Sequence, residues 1–176
     1  IESADESAVT VKASLSLGAK LLAPAVRMEV AYTVDSKGEL SVAVDAKVAE
    51  NLPPLPRFGF QFKMPEGTEK LEYFGRGPGE SYQDMWCHAP FGFYESTAEA
   101  EYVPYIRPQE HGNHYGVKKL SFPLGLEVWA EDKMEINVSS FDSDTLEFAK
   151  HTDELKPNGY TNVRADYRVS GVGNGY

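Results

Sequence analysis

The segment PYIRPQEHGNHYG, residues 104–116, gathers the side chains best suited to chemistry: Glu110, His111 and His114, with Tyr105 and Tyr115 beside them. A carboxylate and an imidazole form a usable acid/base pair, because histidine titrates near neutrality and burial tunes a glutamate upward. On that reading Glu110 and His114 act on, or simply contact, a bound substrate. Two histidines three positions apart also raise metal ligation. On a strand such residues face opposite ways, so joint ligation needs a loop, and no third ligand presents itself; no metal is assigned. The remaining reading is a structural polar network, since a cleft carboxylate held by backbone amides is common in β proteins.

A second stretch, GRGPGESYQDMW (75–86), sets Gly75, Gly77 and Gly79 at alternate positions around Pro78, with Glu80, Tyr82 and Asp84 after them. A dinucleotide loop needs a strand before it and a helix after it, whose N-terminus receives the pyrophosphate. Pro78 lies inside this run and no helical periodicity follows Glu80, so no nucleotide cofactor is assigned. The stretch reads instead as a chain corner. Its glycines would supply positive φ or close backbone approach. Glu80, Tyr82 and Asp84 would then hold the following loop by hydrogen bonds.

His88 and His151 stand alone and read as satisfied or solvated imidazoles. Cys87 has no basic neighbourhood to lower its pKa and is not read as a nucleophile. Being the single cysteine, it also excludes an internal disulfide framework. A glycosidase needs two carboxylates facing each other across a cleft. Among 27 acidic residues no pair is singled out by its spacing.

The elements that must position these side chains are strands. VTVKASLSL (9–17), VRMEVAYTV (26–34) and LSVAVDAKV (40–48) alternate with period two. Asp35-Ser36-Lys37-Gly38 supplies turn chemistry between the last two, so 26–48 is a β-hairpin. NLPPLP (51–56) interrupts the pattern, because proline removes backbone donors and fixes φ. FGFQFKM (58–64), KLEYFG (70–75), a pair around Pro123-Leu124-Gly125, MEINVSSF (134–141) and VRADYRV (163–169) continue it. The single helical turn covers Leu146, Phe148 and Ala149, N-capped by Asp142 or Ser143. Many strands, many turns and almost no helix predict an all-β sandwich of two antiparallel sheets. The acidic stretch 1–7 reads as a linker or frayed end, and 8–176 as a single domain.

A length of 176 residues suits one domain with a sizeable core, and 41% hydrophobic and 25% charged residues are ordinary for a soluble chain. The formal net charge of −10 argues against nucleic-acid partners and anionic membranes, both of which require basic surface. It leaves neutral ligands such as sugars open. No apolar run approaches the roughly 20 residues of a membrane span. The expected setting is soluble, cytoplasmic or periplasmic.

Five pieces, LPRFGFQFKMP (55–65), EYFGRGPGESYQDM (72–85), YVPYIRPQEHGNHYGVKKL (102–120), FDSDTLEFAKHTDEL (141–155) and NVRADYRVSGVGNG (162–175), occur in this order. Together they resemble the C-terminal β-sandwich domain of family 2 glycoside hydrolases of the β-galactosidase type, called the small chain when the enzyme is split. The Gly-x-Gly-Pro-x-Glu-x-Tyr-x-Asp and Pro-Gln-Glu-x-Gly motifs are the most specific pieces. The resemblance covers nearly the whole chain. It implies a large twisted two-sheet supersandwich, related in architecture to galactose mutarotases, that packs on the other domains and lends a loop to the active-site rim.

The resemblance also implies that the catalytic glutamates lie elsewhere, on a (β/α)8 barrel of more than about 200 residues; no catalytic residue is assigned here. Met85 and Trp86 follow Asp84 where the family often has a basic residue. The chain ends at Tyr176, short of the loop whose aromatic contacts galactose, and so reads as C-terminally truncated. The leading expectation is a non-catalytic domain of an enzyme that hydrolyses terminal β-galactosides. The alternative is a stand-alone mutarotase-like enzyme or carbohydrate-binding module that uses Glu110 and His114.

Overall fold

The computed structural model describes residues 2–4, 6–19 and 23–170. The end of the NVRADYRVSGVGNG motif, from Gly171, and the truncation read at Tyr176 lie outside the described residues, as do Ile1 and Asp5 of the stretch read as a linker. Ten strands, one α-helix and a single 3-10 turn (Thr152–Glu154) make up the described chain. The strands form two antiparallel sheets of four and six strands, the inventory of an all-β sandwich with one short helix.

By its contacts the chain divides into two compact units, Ile1–Pro54 and Leu55–Tyr176, where a single domain over 8–176 was expected. The division falls in NLPPLP, where prolines cannot extend a ladder. The first unit holds β1 (Ser3–Ala4), β2 (Ala8–Leu17), β3 (Val26–Asp35) and β4 (Leu40–Val48), paired in that order. Part of the expected linker is thus paired: Ser3 lies opposite Thr10 and Ala4 opposite Val9. The β3–β4 hairpin closes as its turn residues require. Asp35 Oδ1 accepts the amides of Lys37 and Glu39, each at 2.9 Å, and Gly38 takes a φ of 84°. The register places Val11, Tyr32 and Val42 side by side on one face, with Val9, Val34 and Leu40 beside them.

The second unit holds β5 (Arg57–Pro65), β6 (Lys70–Arg76), β7 (Phe91–Thr97), β8 (His114–Ser121), β9 (Glu127–Ser139) and β10 (Tyr160–Val169), ordered β5-β10-β9-β8-β6-β7. Its core joins Leu71, Tyr73, Val117, Leu120, Ile136, Val138 and Val163, all nearly solvent-free. The segments LEVWA and MEINVSSF, expected as separate strands, are one continuous β9, and the register with β8 shifts near Val117 where the polar stretch Glu131-Asp132-Lys133 passes. Strand β7 was not anticipated. Helix α1 (Ser143–Phe148) begins where expected, with Asp142 as N-cap accepting the Thr145 amide at 3.0 Å.

One face of β9 and β10 departs from the alternation rule. Met134, Ile136 and Val138 enter the core, yet Glu135, Asn137 and Ser139 on the opposite face are buried as well, as are Asn162, Arg164 and Asp166. The polar face is covered by the loop between β7 and β8, which carries the PYIRPQEHGNHYG segment, and by the start of α1.

Candidate functional site

The glycine-rich corner follows β6. None of Gly75, Gly77 or Gly79 has positive φ, so that part of the expectation does not hold. Close approach does. A Cβ on Gly75 would sit 2.5 Å from Val117 Cγ2 and 2.9 Å from Val117 Cα on the neighbouring strand. One on Gly77 would sit 2.3 Å from the Tyr73 hydroxyl. The Gly77–Pro78 peptide is cis. The corner is therefore shaped by packing against β8 and Tyr73, with no helix N-terminus to receive a phosphate.

Glu80 leaves this corner and reaches the β7–β8 loop. Its Oε2 accepts the Gly112 amide at 2.9 Å and its Oε1 accepts the Tyr105 hydroxyl; Tyr82 donates to Oε2 at 3.5 Å. Burial, with the Glu80 carboxylate adding to it, pushes the Tyr105 phenol up to about 12 and raises Tyr82 as well. Beside this contact, Ser81 donates its amide to the Asn113 carbonyl at 2.6 Å and its hydroxyl accepts the Tyr115 amide at 3.0 Å. Asp84, expected to join this lock, is exposed and takes no part in it. His88 donates Nε2 to the Glu80 carbonyl at 2.9 Å.

His114 opens β8 and is 1% exposed. Its Nδ1 donates to the Arg76 carbonyl at 3.0 Å and its Nε2 lies 2.6 Å from Glu101 Oε2. A carbonyl only accepts, so Nδ1 is the donor to Arg76. The Tyr73 ring packs on the imidazole with centroids 4.4 Å apart. His111 turns away from this pair. It donates Nδ1 to the Gln109 carbonyl at 2.9 Å and meets the Tyr102 ring edge-on.

Glu110 belongs to a third group. Arg57 Nη2 donates to its Oε1 at 2.7 Å, and Arg164 Nη1 lies 3.3 Å from both oxygens. Arg57 also donates Nε to Asp166 at 2.9 Å, while Arg164 reaches Asn137 and Ser143. Burial opposes the Arg57 charge, but Glu110 and Asp166 outweigh it and raise its pKa. For Arg164 burial prevails and lowers it. Burial pushes Asp166 up to about 6, against the pull of Arg57.

The structure thus separates the two residues expected to act together. Glu110 and His114 share no partner, and the Glu110 side chain is only 8% exposed. Both anchor one loop, at different points. Among the described residues, no group of three or more His, Cys, Asp and Glu side chains is placed to hold a metal. A cavity of about 130 Å³ opens elsewhere, between Tyr115, Lys133, Tyr167 and Arg168, and contains neither Glu110 nor His114. His151 and Cys87 are exposed. Sequence reasoning missed Arg57, Glu101, Asn113, Glu135, Asn137, Arg164 and Asp166. The one available signal was the Arg164-x-Asp166 alternation, which places opposite charges on one face of β10.

No helix among the described residues is long and apolar enough to cross a membrane. The family model described as beta galactosidase small chain matches residues 1–176. Similar proteins include the beta-galactosidase of Actinobacillus pleuropneumoniae, 36% identical over 83% of this chain and 14% of that protein. The beta-galactosidase of Streptococcus thermophilus is 33% identical over 84% of this chain and 15% of that protein. That of Halalkalibacterium halodurans is 35% identical over 84% and 15%. The chain therefore spans a small part of the length of the relatives it matches. With the full-length match to the family model, the two-sheet all-β structure and the glycine corner tied to the Pro-Gln-Glu loop, the chain belongs to the beta galactosidase small chain family.

Proposed function

We propose that this chain is the non-catalytic C-terminal domain of a family 2 β-galactosidase, an enzyme that hydrolyses terminal β-galactosides. In this reading it supports the fold, the domain interfaces and the rim of an active site whose two catalytic carboxylates lie on a separate (β/α)8 barrel. The observation that carries it is the match of the whole chain to a family whose similar members are beta-galactosidases of which it covers only about one-seventh, 14% for one of them. The internal engagement of Glu110 and His114 supports it further. A glycosidase acid pair must face its substrate, whereas here Glu110 faces two arginines and His114 faces Glu101. The β7–β8 loop is then a scaffold fixed from below rather than a proton-transfer site.

The test compares the purified 176-residue chain with the complete enzyme on a chromogenic β-galactoside. Hydrolysis by the enzyme and none by the chain is the expected result. Turnover by the rigorously purified chain overturns the proposal. Acceleration of galactose mutarotation by the chain, read by polarimetry, would do so too, in favour of a stand-alone enzyme.

A further inference from the structure

The turn that leads into β10 carries a bond with chemistry of its own. Asn158 is followed by Gly159, and the backbone nitrogen of a following residue reaches an asparagine side chain most easily when that residue has no Cβ. Gly159 is exposed, takes a φ of 76° and has nothing within 4 Å of the place a Cβ would occupy. The Asn158 side chain, by contrast, is held at every polar atom. Its Nδ2 donates to Asp142 Oδ2 at 3.0 Å and to Asn162 Oδ1 at 3.2 Å. Its Oδ1 accepts the Tyr160 amide at 3.1 Å and Asn162 Nδ2 at 3.2 Å. That is the full donor and acceptor complement of a primary amide. Both holders are themselves fixed. Asn162 is buried and donates to the Ser139 carbonyl at 3.1 Å. Asp142 is the N-cap of α1, and Thr145 first, then Asn158, hold its carboxyl well below the usual range, so it is an ionised acceptor.

We propose that Asn158–Gly159 is a self-modifying site guarded by the cap of α1. While Asp142 and Asn162 hold the Asn158 amide it does not react, and local opening of the cap exposes it to irreversible deamidation. The step needs only water. The Gly159 nitrogen bonds to Asn158 Cγ as its own proton passes to solvent, the Cγ–Nδ2 bond breaks, and the nitrogen leaves as ammonia with a proton from solvent. Water then opens the cyclic imide at either carbonyl, leaving aspartate or isoaspartate at that position. In the product no N–H remains to donate to Asp142. A second carboxylate stands where that donor made its 3.0 Å contact, and like charges so close repel. Isoaspartate also lengthens the main chain by one carbon just before β10. The modified chain therefore keeps the cap open and does not reset. The inference rests on hydrogen bonds within this chain and is independent of the β-galactosidase reading.

Peptide mapping by mass spectrometry tests it on the complete native protein, incubated at mildly alkaline pH beside the same protein unfolded in urea. The readouts are conversion of the Asn158 peptide and its isoaspartate content. Native conversion is expected to be slower than conversion in urea by about tenfold or more, the factor that one hydrogen bond to a charged group returns. Asp142→Asn keeps an oxygen for Thr145 but gives up the carboxylate that faces Asn158. It should speed native conversion about fivefold, the difference between a charged and a neutral acceptor, and leave the rate in urea unchanged. Equal rates in native and unfolded protein overturn the proposal, as does native conversion that Asp142→Asn leaves unaltered. Asn158→Asp reproduces the aspartate product without waiting for the reaction. Faster hydrogen exchange at the Leu146 and Ala149 amides, which bond within the turn, is expected in that variant. Exchange there that matches the wild type would overturn the claim that modification holds the cap open.

Discussion

Glu80 and Gly112 lie 32 positions apart in sequence, and the carboxylate of the first accepts the amide of the second at 2.9 Å. This contact ties the glycine corner after β6 to the loop that leads into β8. Other anchors of that loop include Glu101–His114 and Glu110–Arg57. A carboxylate receiving a backbone amide and a phenol is a charge-assisted arrangement worth more than a neutral hydrogen bond.

Replacing Glu80 by alanine should therefore destabilise the protein by about 1.5–3 kcal/mol, the usual cost of losing hydrogen bonds to a charged group. Glu80→Gln, which keeps one acceptor oxygen, should lose less. The decisive measurement is the ionisation of Tyr105, whose phenol burial and Glu80 together hold at about 12. Removing the carboxylate should bring that titration down toward the ordinary tyrosine range in an ultraviolet pH titration. An unchanged Tyr105 titration in Glu80→Ala would show that Glu80 does not hold it.

Gly112 makes a second, independent demand on the same loop. Its φ is +69°, and a Cβ would stand 2.5 Å from the Glu101 carbonyl oxygen. Both faults are backbone faults, so no side-chain rotation relieves them. Gly112→Ala should cost about 2–4 kcal/mol, combining left-handed strain with overpacking. Gly79→Ala, with nothing within 4 Å of its Cβ, should cost far less. Urea unfolding midpoints of the two variants give the comparison, and equal losses would contradict it.

These anchors show which parts of the molecule were legible in its sequence. Period-two alternation located β2, β3, β4, β5 and β10, because each of those strands sets apolar and polar residues on opposite faces. Turn chemistry located the Asp35–Gly38 hairpin and the Asp142 cap for the same local reason. What failed, at β9 and at β10, was the expectation that the polar face meets solvent. Glu135, Asn137 and Ser139 look like a solvent face, yet they are buried beneath a loop whose position depends on residues more than twenty positions away, such as His111 on Asn137 and Asn113 on Glu135. Glu110 and His114 were singled out by type. Their partners, Arg57 and Arg164 for one and Glu101 for the other, come from strand register and loop path, which residue types do not specify.

Asp166 supplies a pH signature. It is faced by Arg57, Glu110 and Arg164, and burial pushes its pKa up to about 6. A carboxyl raised on folding binds its proton more tightly in the native state. Its contribution to stability is therefore fully present below the ordinary carboxylate range and is lost as pH rises through about 6. Asp166→Asn keeps an acceptor for Arg57 but cannot titrate. Between pH about 4 and about 7 the wild type should lose roughly 2–3 kcal/mol relative to this variant. Thermal or urea unfolding across that window reads the difference, and parallel pH profiles for the two proteins would rule out the raised carboxyl.

The cap of α1 behaves in the opposite sense. Asp142 accepts the Thr145 hydroxyl at 2.7 Å and its amide at 3.0 Å, with Asn158 at 3.0 Å and Lys63 at 3.2 Å on the other oxygen. These donors, the Thr145 hydroxyl first, hold its carboxyl well below the usual range. A depressed carboxyl contributes stability that is present above its ordinary pKa and is lost only as pH falls through the lowered value. Asp142→Ala removes the cap and should cost about 0.5–2 kcal/mol at neutral pH. Asp142→Asn, which still offers an oxygen to the Thr145 amide, should recover much of that loss. Because Arg164 donates to Ser143 at 2.7 Å, fraying of this turn should also loosen the cluster around Glu110. Hydrogen exchange then provides the check. In Asp142→Ala, faster exchange is expected at the amides of Leu146 and Ala149, whose acceptors lie within the turn. Unchanged exchange there would mean that the helix is held by the packing of Leu146 alone.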